Sequence, residues 1–420
     1  MAGMRRISVS LAPKTVRSIR LFGLLVAQLC AYSMLSALCF ACPLYLFDCS
    51  GSSTLYGAVA AIAFIPGVLA TPVGGILADR GRHRGVLVVL GIVLMAASLL
   101  FIPMKRSLPL AVVVAAMLCV QYGIQSLLKP MLQIEVVRMT GQEKVERATA
   151  LVSQIIMMSN ILGPVVGTAV YGCFGIDTLC ETAALTFTIS ALLFGGALKQ
   201  NASSETMGDG ATRTTRRNDF RELIRYLSQN SSLLVVFLIA AILNLALVGL
   251  TIGAPVIVAK HLGMQSSFVG IIEVAMGLGG LVGSGLVGIW PHRFSFKGIC
   301  RYVAMICLGV VPIIVTLLSG PNEFAFVALA AGSAWVMAWA SVTSVEVVSF
   351  VQRSAPKELC GKVLALVYMA LSCAMPIGQL VYGLAYDRWT PAIVLAGMLA
   401  VLTLMTALFY RLKSRLWRMS

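Results

Sequence analysis

Apolar runs of about 20 residues recur along this 420-residue chain from end to end. Each is long enough to cross ~30 Å of hydrocarbon as a helix rising ~1.5 Å per residue. Composition agrees with that reading. The chain is 59% hydrophobic and only 11% charged, with a mean hydropathy of +0.92. A soluble domain of this length needs more polar surface, because its apolar atoms cannot all be buried. Spans are placed near 21–45, 54–77, 86–104, 109–134, 147–172, 180–198, 233–259, 267–289, 299–318, 324–350, 363–386 and 391–410. The expected fold class is therefore an all-α membrane protein with twelve transmembrane helices.

Charge sets the expected orientation. Of 32 Lys and Arg residues, 27 fall in the two tails and the loops on their side. The other side holds Lys105, Arg106, Lys260 and Arg388, and Lys129 lies within a span. Because Lys and Arg resist translocation, this split predicts cytoplasmic termini in a cell membrane. The basic opening "MAGMRRISVSLAPKTVRSIR" precedes an apolar run longer than a signal-peptide core, so it reads as a cytoplasmic tail. A net charge of +16 is then a topology signal. Scattered over short loops, it does not favour a nucleic-acid partner. The eleven cysteines show no metal spacing, and most sit inside spans as small apolar residues. Cys173 and Cys180 flank one loop and could pair in an oxidising compartment.

The chain is duplicated. At an offset of 213, Gly57 pairs with Gly270, Gly67 with Gly280, Gly75 with Gly288, Arg80 with Arg293, Arg84 with Lys297 and Gly85 with Gly298. "EVV" at Glu135 recurs at Glu346, and Pro164 matches Pro376, at offsets of 211 and 212. Two pseudo-symmetric six-helix bundles follow, with the site expected between them near the bilayer midplane. The division expected is a tail 1–20, a bundle 21–198, a polar cytoplasmic linker 199–232, a bundle 233–410 and a tail 411–420. The linker's end, with Phe220, Leu223, Ile224 and Leu227, has the spacing of an amphipathic helix.

The connection "GGILADRGRHRGVL", Gly74 to Leu87, resembles the signature loop of the major facilitator superfamily, here at Gly75, Asp79, Arg80 and Arg84. Arg82 stands where a second glycine is usual, and His83 where a basic residue is usual. "SNILGPVVG" (Ser159–Gly167), "GIIEVAMGLGGLVGSGLVG" (Gly270–Gly288) and "VQRSAPKELCGKVLALVYMALSCAMPIG" (Val351–Gly378) resemble the proton-coupled drug-efflux branch that includes macrolide exporters. That resemblance implies export of amphipathic compounds driven by protons. It also implies a cytoplasmic latch, in which Asp79 caps the eleventh span and a loop arginine pairs with an acid on the fourth. Physics gives the aspartate a related need. It sits at the C-terminal end of the second span, where the helix dipole disfavours an anion, so it should have a partner.

Depth sorts the remaining polar groups. Counting from Leu110, Gln121 falls close to the midplane and Gln125 a turn deeper, whereas Lys129 comes out ~29 Å along, at the boundary. Lys129 is expected to snorkel to the headgroups. Glu135 lies beyond it, as the latch acid facing Arg80 or Arg84 or as an ordinary solvated helix end. Glu346 is its repeat mate, with Arg293 or Lys297 as partner. Of sixteen acids, Glu273 and Glu346 fall well inside spans, Glu181 begins one and Glu135 lies at the end of one. Glu273 precedes Gly277, Gly280 and Gly283, which admit a neighbouring helix. It is the candidate proton carrier, with an outer-gate hydrogen bond or a simple interfacial acid as the other readings. Asn160 and Asn244 complete the candidate cavity near mid-depth, and Gln28 and Gln379 lie further from it. Each of these could equally bind helix to helix. Related transporters often carry an arginine where this chain has Gln121, which leaves Glu273 without an obvious buried basic partner.

The three histidines, His83, His261 and His292, lie far apart, and no nucleotide-binding fingerprint is present. No enzyme activity and no cofactor are expected. The leading expectation is a monomeric transporter that exports amphipathic small molecules by alternating access, with protons as the counter-substrate. A facilitator or importer of a neutral metabolite, and a non-transporting sensor or scaffold, remain as alternatives.

Overall fold

In a computed structural model of the chain, residues 14–79, 83–140, 145–197, 231–320, 323–354 and 360–416 are described. They are helical, with no strand among them. In order they form α1 (Lys14–Ser50), α2 (Ser53–Asp79), α3 (His83–Ser107) and α4 (Leu110–Thr140). One long stretch, Val145–Ala197, follows. Gly175 interrupts it at φ 84°, ψ 174°, a backbone region open essentially to glycine alone. The arms before and after that residue are α5 (145–174) and α6 (176–197). Next come α7 (Ser231–Pro255), prolonged by a π-helical turn at Val256–His261, and α8 (Val269–Ile289), preceded by a 3-10 turn at Ser266–Phe268. The series closes with α9 (Ile299–Leu318), α10 (Glu323–Ser354), α11 (Cys360–Arg388) and α12 (Pro391–Leu416).

Among the described residues, 10 stretches are long and apolar enough to cross a membrane. One of them, Gln154–Gly196, has 43 residues, about twice the length a single crossing needs. The break at Gly175 divides it into two passes. With α11, which is outside that set of 10, the helical segments number twelve. This is a multi-pass helical membrane fold. The expected linker 199–232 and its amphipathic end lie outside the described residues up to position 230.

Both ends of the helical array, Lys14 and Leu416, lie on one face, the terminal face. The turns after α1, α3, α7, α9 and α11 lie on the opposite one. Two apolar cores form. One gathers Leu35, Leu38, Met131 and Phe187 from the first half; the other gathers Ile257, Ile306, Leu395 and Leu402 from the second. Small residues let the helices within each half approach closely, since packing rather than water exclusion holds helices together in lipid. A Cβ at Gly163 or Gly167 of α5 would collide with Ser36 or Ala37 of α1. A Cβ at Gly279 or Gly283 of α8 would strike the carbonyls of Ala334 and Ala338 on α10. The motif "SNILGPVVG" therefore has a packing role, the seat of α1.

Between the halves, the described close approaches run from the opposite face to about mid-helix. Gly57 of α2 lies against Gln379 and Gly383 of α11; Gly172, Thr168 and Ile161 of α5 meet Ser267, Gly270 and Gly277 around α8. Leu44 and Phe47 of α1 belong to the apolar core of the second half. The molecule is closed at the opposite face.

Candidate functional site

The polar stripe on α4 divides by depth. Gln121 is fully buried; its Oε1 accepts a hydrogen bond from Cys39 Sγ of α1 at 3.2 Å, and its Nε2 has no partner among the described residues. One turn on, Gln125 is half-buried, and Lys129 is exposed. Gln28 of α1 is fully buried with both amide atoms unpartnered, and the Tyr32 hydroxyl, one turn away, is likewise buried and unpartnered. A buried polar atom without a partner costs about 1–3 kcal/mol. Four such atoms, on Gln28, Tyr32 and Gln121, call for water or a ligand group.

Glu273 occupies the α8 surface between Gly270 and Gly277, the two glycines that face α5. Positions three and four apart share a helix face, so the acid sits at the junction of the halves. Tyr56 of α2 is within its electrostatic reach. The carboxyl is partly buried and makes no hydrogen bond or ion pair among the described residues.

In the second half a recess of about 190 Å³ opens between α7 and α10. Asn244, Ser341, Thr343 and Ser344 line it with Leu243, Leu247, Met337 and Val347. Asn244 lines this recess, its Nδ2 donating to the Ala240 carbonyl at 3.2 Å. Asn160 is exposed on α5, beside the Ile161 that meets Gly277. Gln379 has its backbone carbonyl against Gly57 in the contact between α2 and α11, and its side-chain Oε1 is buried with no partner among the described residues.

Of the expected terminal-face latch, Asp79 is the last residue of α2 and Arg84 lies in the first turn of α3. The side chains of Asp79 and Arg84 lie outside the described residues, as does Arg80. Gly75 lies within α2, and Glu135 is half-buried near the end of α4. Glu346 is buried, with Arg353 two turns along α10 as its charged neighbour. Arg293 is exposed and holds its guanidinium 5.7 Å from the centre of the Trp290 ring.

A second polar centre, at the opposite face, escaped the sequence reading. The Asp387 carboxylate accepts hydrogen bonds from the Ser53 N–H at 2.9 Å, the Thr54 N–H at 2.8 Å and the Ser52 hydroxyl at 2.9 Å. Lys260 Nζ stands 3.4 Å from its Oδ1. Burial raises the acid's pKa, but these hydrogen bonds outweigh it and hold the carboxyl well below the usual carboxylate range. Asp48, at the end of α1, accepts from Ser266 Oγ at 2.5 Å and from the Tyr171 hydroxyl at 2.6 Å. Lys105 pairs with Asp177 at 2.5 Å. Two of the four basic residues expected on this face are thus tied to aspartates. The signal was present: Ser52–Thr54 and Ser266–Ser267 precede α2 and α8 at the same offset of 213, and such runs cap helices. Cys173 is an exposed free thiol and Cys180 a buried one. No cluster of His, Cys, Asp and Glu suited to a metal occurs among the described residues.

Comparison with known proteins now bears on this geometry. Residues 24–379 match the family described as Major Facilitator Superfamily. The chain is 21% identical to macrolide efflux protein A of Streptococcus pyogenes over 349 residues, 82% of this chain and 84% of that one. A crystal structure of a bacterial homologue of the iron transporter ferroportin, in an inward-facing state, superposes with a TM-score of 0.73 at 14% identity, covering 95% of this chain and 99% of that one. The nucleoside transporter NupG superposes at 0.70, again at 14% identity, covering 93% and 98%.

Proposed function

Because the chain belongs to the Major Facilitator Superfamily, we propose that it exports amphipathic small molecules by alternating access in exchange for protons. The observation that carries this reading is the placement of Glu273, an acid without a hydrogen-bond partner among the described residues, at the junction of two rocking halves. Such an intramembrane acid is a functional group by default, since burying it idle is costly. The recess between α7 and α10 supports an amphipathic cargo, because its wall is mostly apolar and carries one amide and three hydroxyls. Likeness to the streptococcal macrolide efflux protein over most of both chains supports the direction of transport. The excess of Lys and Arg on the terminal face supports cytoplasmic termini in a cell membrane. In that orientation the described structure is closed outside. Asp79, Arg80, Arg84 and Glu135, with Gly75 in the preceding helix, would close the cytoplasmic side when the outer side opens, and Glu346 with Arg293 would serve the second repeat.

Purified protein in liposomes with an imposed pH gradient tests the reading against a panel of lipophilic compounds that includes a macrolide. Compound-dependent proton flux, lost in Glu273→Gln, is the expected result. Uptake of a neutral solute without proton movement would instead make the protein a facilitator.

A further inference from the structure

Asp387 lies at the C-terminal end of α11, where the dipole of its own helix works against a negative charge. Its setting resolves the conflict. The carboxylate reaches across the boundary between the halves and covers the N-terminus of α2, which begins at Ser53. The first N–H groups of a helix have no partner within it, and two of them, on Ser53 and Thr54, are satisfied here by an acid from the other half. The two helices also touch most closely at this place. A Cβ on Gly57 would enter the Gln379 carbonyl, and one on Gly383 would stand 2.7 Å from the Ser53 carbonyl.

The second helix-to-half contact repeats the theme. Ser266 opens the segment leading into α8, and the Asp48 carboxylate from the first half accepts its hydroxyl. Ser53 and Ser266 are equivalent positions of the two repeats. Each repeat therefore presents a serine-led helix start to an aspartate of the other half.

We propose that Asp387 is the principal latch of the opposite face, capping α2 across the interface when that face is closed and releasing it when the halves rock. Asp48 is its weaker counterpart, since it takes a single hydroxyl across the boundary. The helix α2 thus carries its cross-boundary contact in its first turn, under Asp387. Rocking of the halves would break this contact, which gives a pair of packed bundles two discrete states. This device is indifferent to the cargo, to the direction of transport and to Glu273.

Spin labels at Leu108 and Phe324, exposed sites at the opposite-face ends of the two halves, report the opening of a mouth between the halves in nanodiscs without substrate or gradient. With native cysteines replaced, Asp387→Asn is expected to raise the population with the longer distance about tenfold, as loss of charge-assisted hydrogen bonds at a helix start requires. Asp387→Glu should restore part of the closed population. An unchanged distance distribution in a monodisperse Asp387→Asn protein overturns the proposal. Should that variant fail to fold, Ser52→Ala removes one donor and leaves the charge; a smaller shift the same way supports the latch, and no shift overturns it.

Discussion

Two aspartates at the opposite face and several polar groups inside the bundle are treated in contrary ways. Each oxygen of Asp387 and of Asp48 has a protein partner, although both acids sit where water is close at hand. Gln28, Tyr32 and the Gln121 amide nitrogen are buried with none among the described residues. Solvation alone would produce the reverse, because an unmet polar atom costs most where water is excluded. The difference separates two duties. Groups with fixed partners hold one arrangement of the halves. On the proposed function, the groups left open are those that would take a partner that arrives and leaves.

The strongest test of that division is Glu273→Gln, the change expected to have the largest effect. Removing the carboxyl proposed to carry the proton should lower proton-coupled export on the order of 100-fold in liposomes, as loss of a proton-transfer group does elsewhere. The Leu108–Phe324 distances should stay as they are. Lost export together with an opened mouth would erase the distinction, since one group would then serve both duties.

Gly57→Val attacks the closed face through shape rather than charge. The added atoms would overlap the Gln379 carbonyl, so closing the opposite face should cost about 1–3 kcal/mol, the usual penalty of overpacking. Transport should fall about tenfold and the longer distance should gain population. Gly23→Ala, where nothing lies within 4 Å, is the control and should change neither. A Gly57→Val protein with a normal mouth would mean that α2 and α11 part before the transport cycle needs their contact.

How much of this was legible in the sequence follows from which residues carried period and which carried partners. The helices showed in the apolar runs, because lipid leaves a spanning chain few alternatives, and the family in the motif from Gly74 to Leu87. Depth counting put Asn244 near mid-helix, since a helix rises uniformly, and there it lines the recess between α7 and α10. The same counting could not show that the Gln379 backbone carbonyl closes on Gly57 while its side-chain Oε1 stays buried and unpartnered among the described residues. Azimuth around the helix decides that, and a single glutamine gives no phase. Asp387 and Asp48 went unread for a related reason. The dipole rule applied to Asp79 holds equally for an aspartate ending α11, yet its partner lies 334 positions away at Ser53. Gly175 was hidden because one glycine between two apolar runs does not announce its φ of 84°.

Gln121→Leu probes the open set from the side of stability. The change removes one weak thiol hydrogen bond from Cys39 and with it the unpartnered amide nitrogen. Replacing an unsatisfied buried polar group by an apolar one of similar shape is nearly neutral, so thermal unfolding should move by no more than about 1 kcal/mol, in either direction. Export of polar-headed compounds should fall several-fold. A clear loss of stability would move Gln121 into the fixed set, with a partner beyond Cys39.

The smallest effect expected is that of pH on the mouth. Hydrogen bonds from Ser52, Ser53 and Thr54 keep the Asp387 carboxyl well below the usual carboxylate range, despite burial that works the other way. The sign follows from linkage: a group depressed in the closed state stabilises it above the ordinary carboxylate value near 3.9, and the contribution is lost only as pH falls through the depressed value. The charged groups around it do not alter this. Lys260 faces the carboxylate from the turn after α7, Arg388 follows it in the chain, and the first turn of α2 brings hydroxyls alone. Between about pH 5 and about pH 8 the Leu108–Phe324 distances should therefore not change on account of this latch. A mouth that opened across that range in wild type and equally in Asp387→Asn would assign its control to another group. A mouth that stays shut while export varies with pH leaves proton coupling to the interior acid and closure to the capped helix.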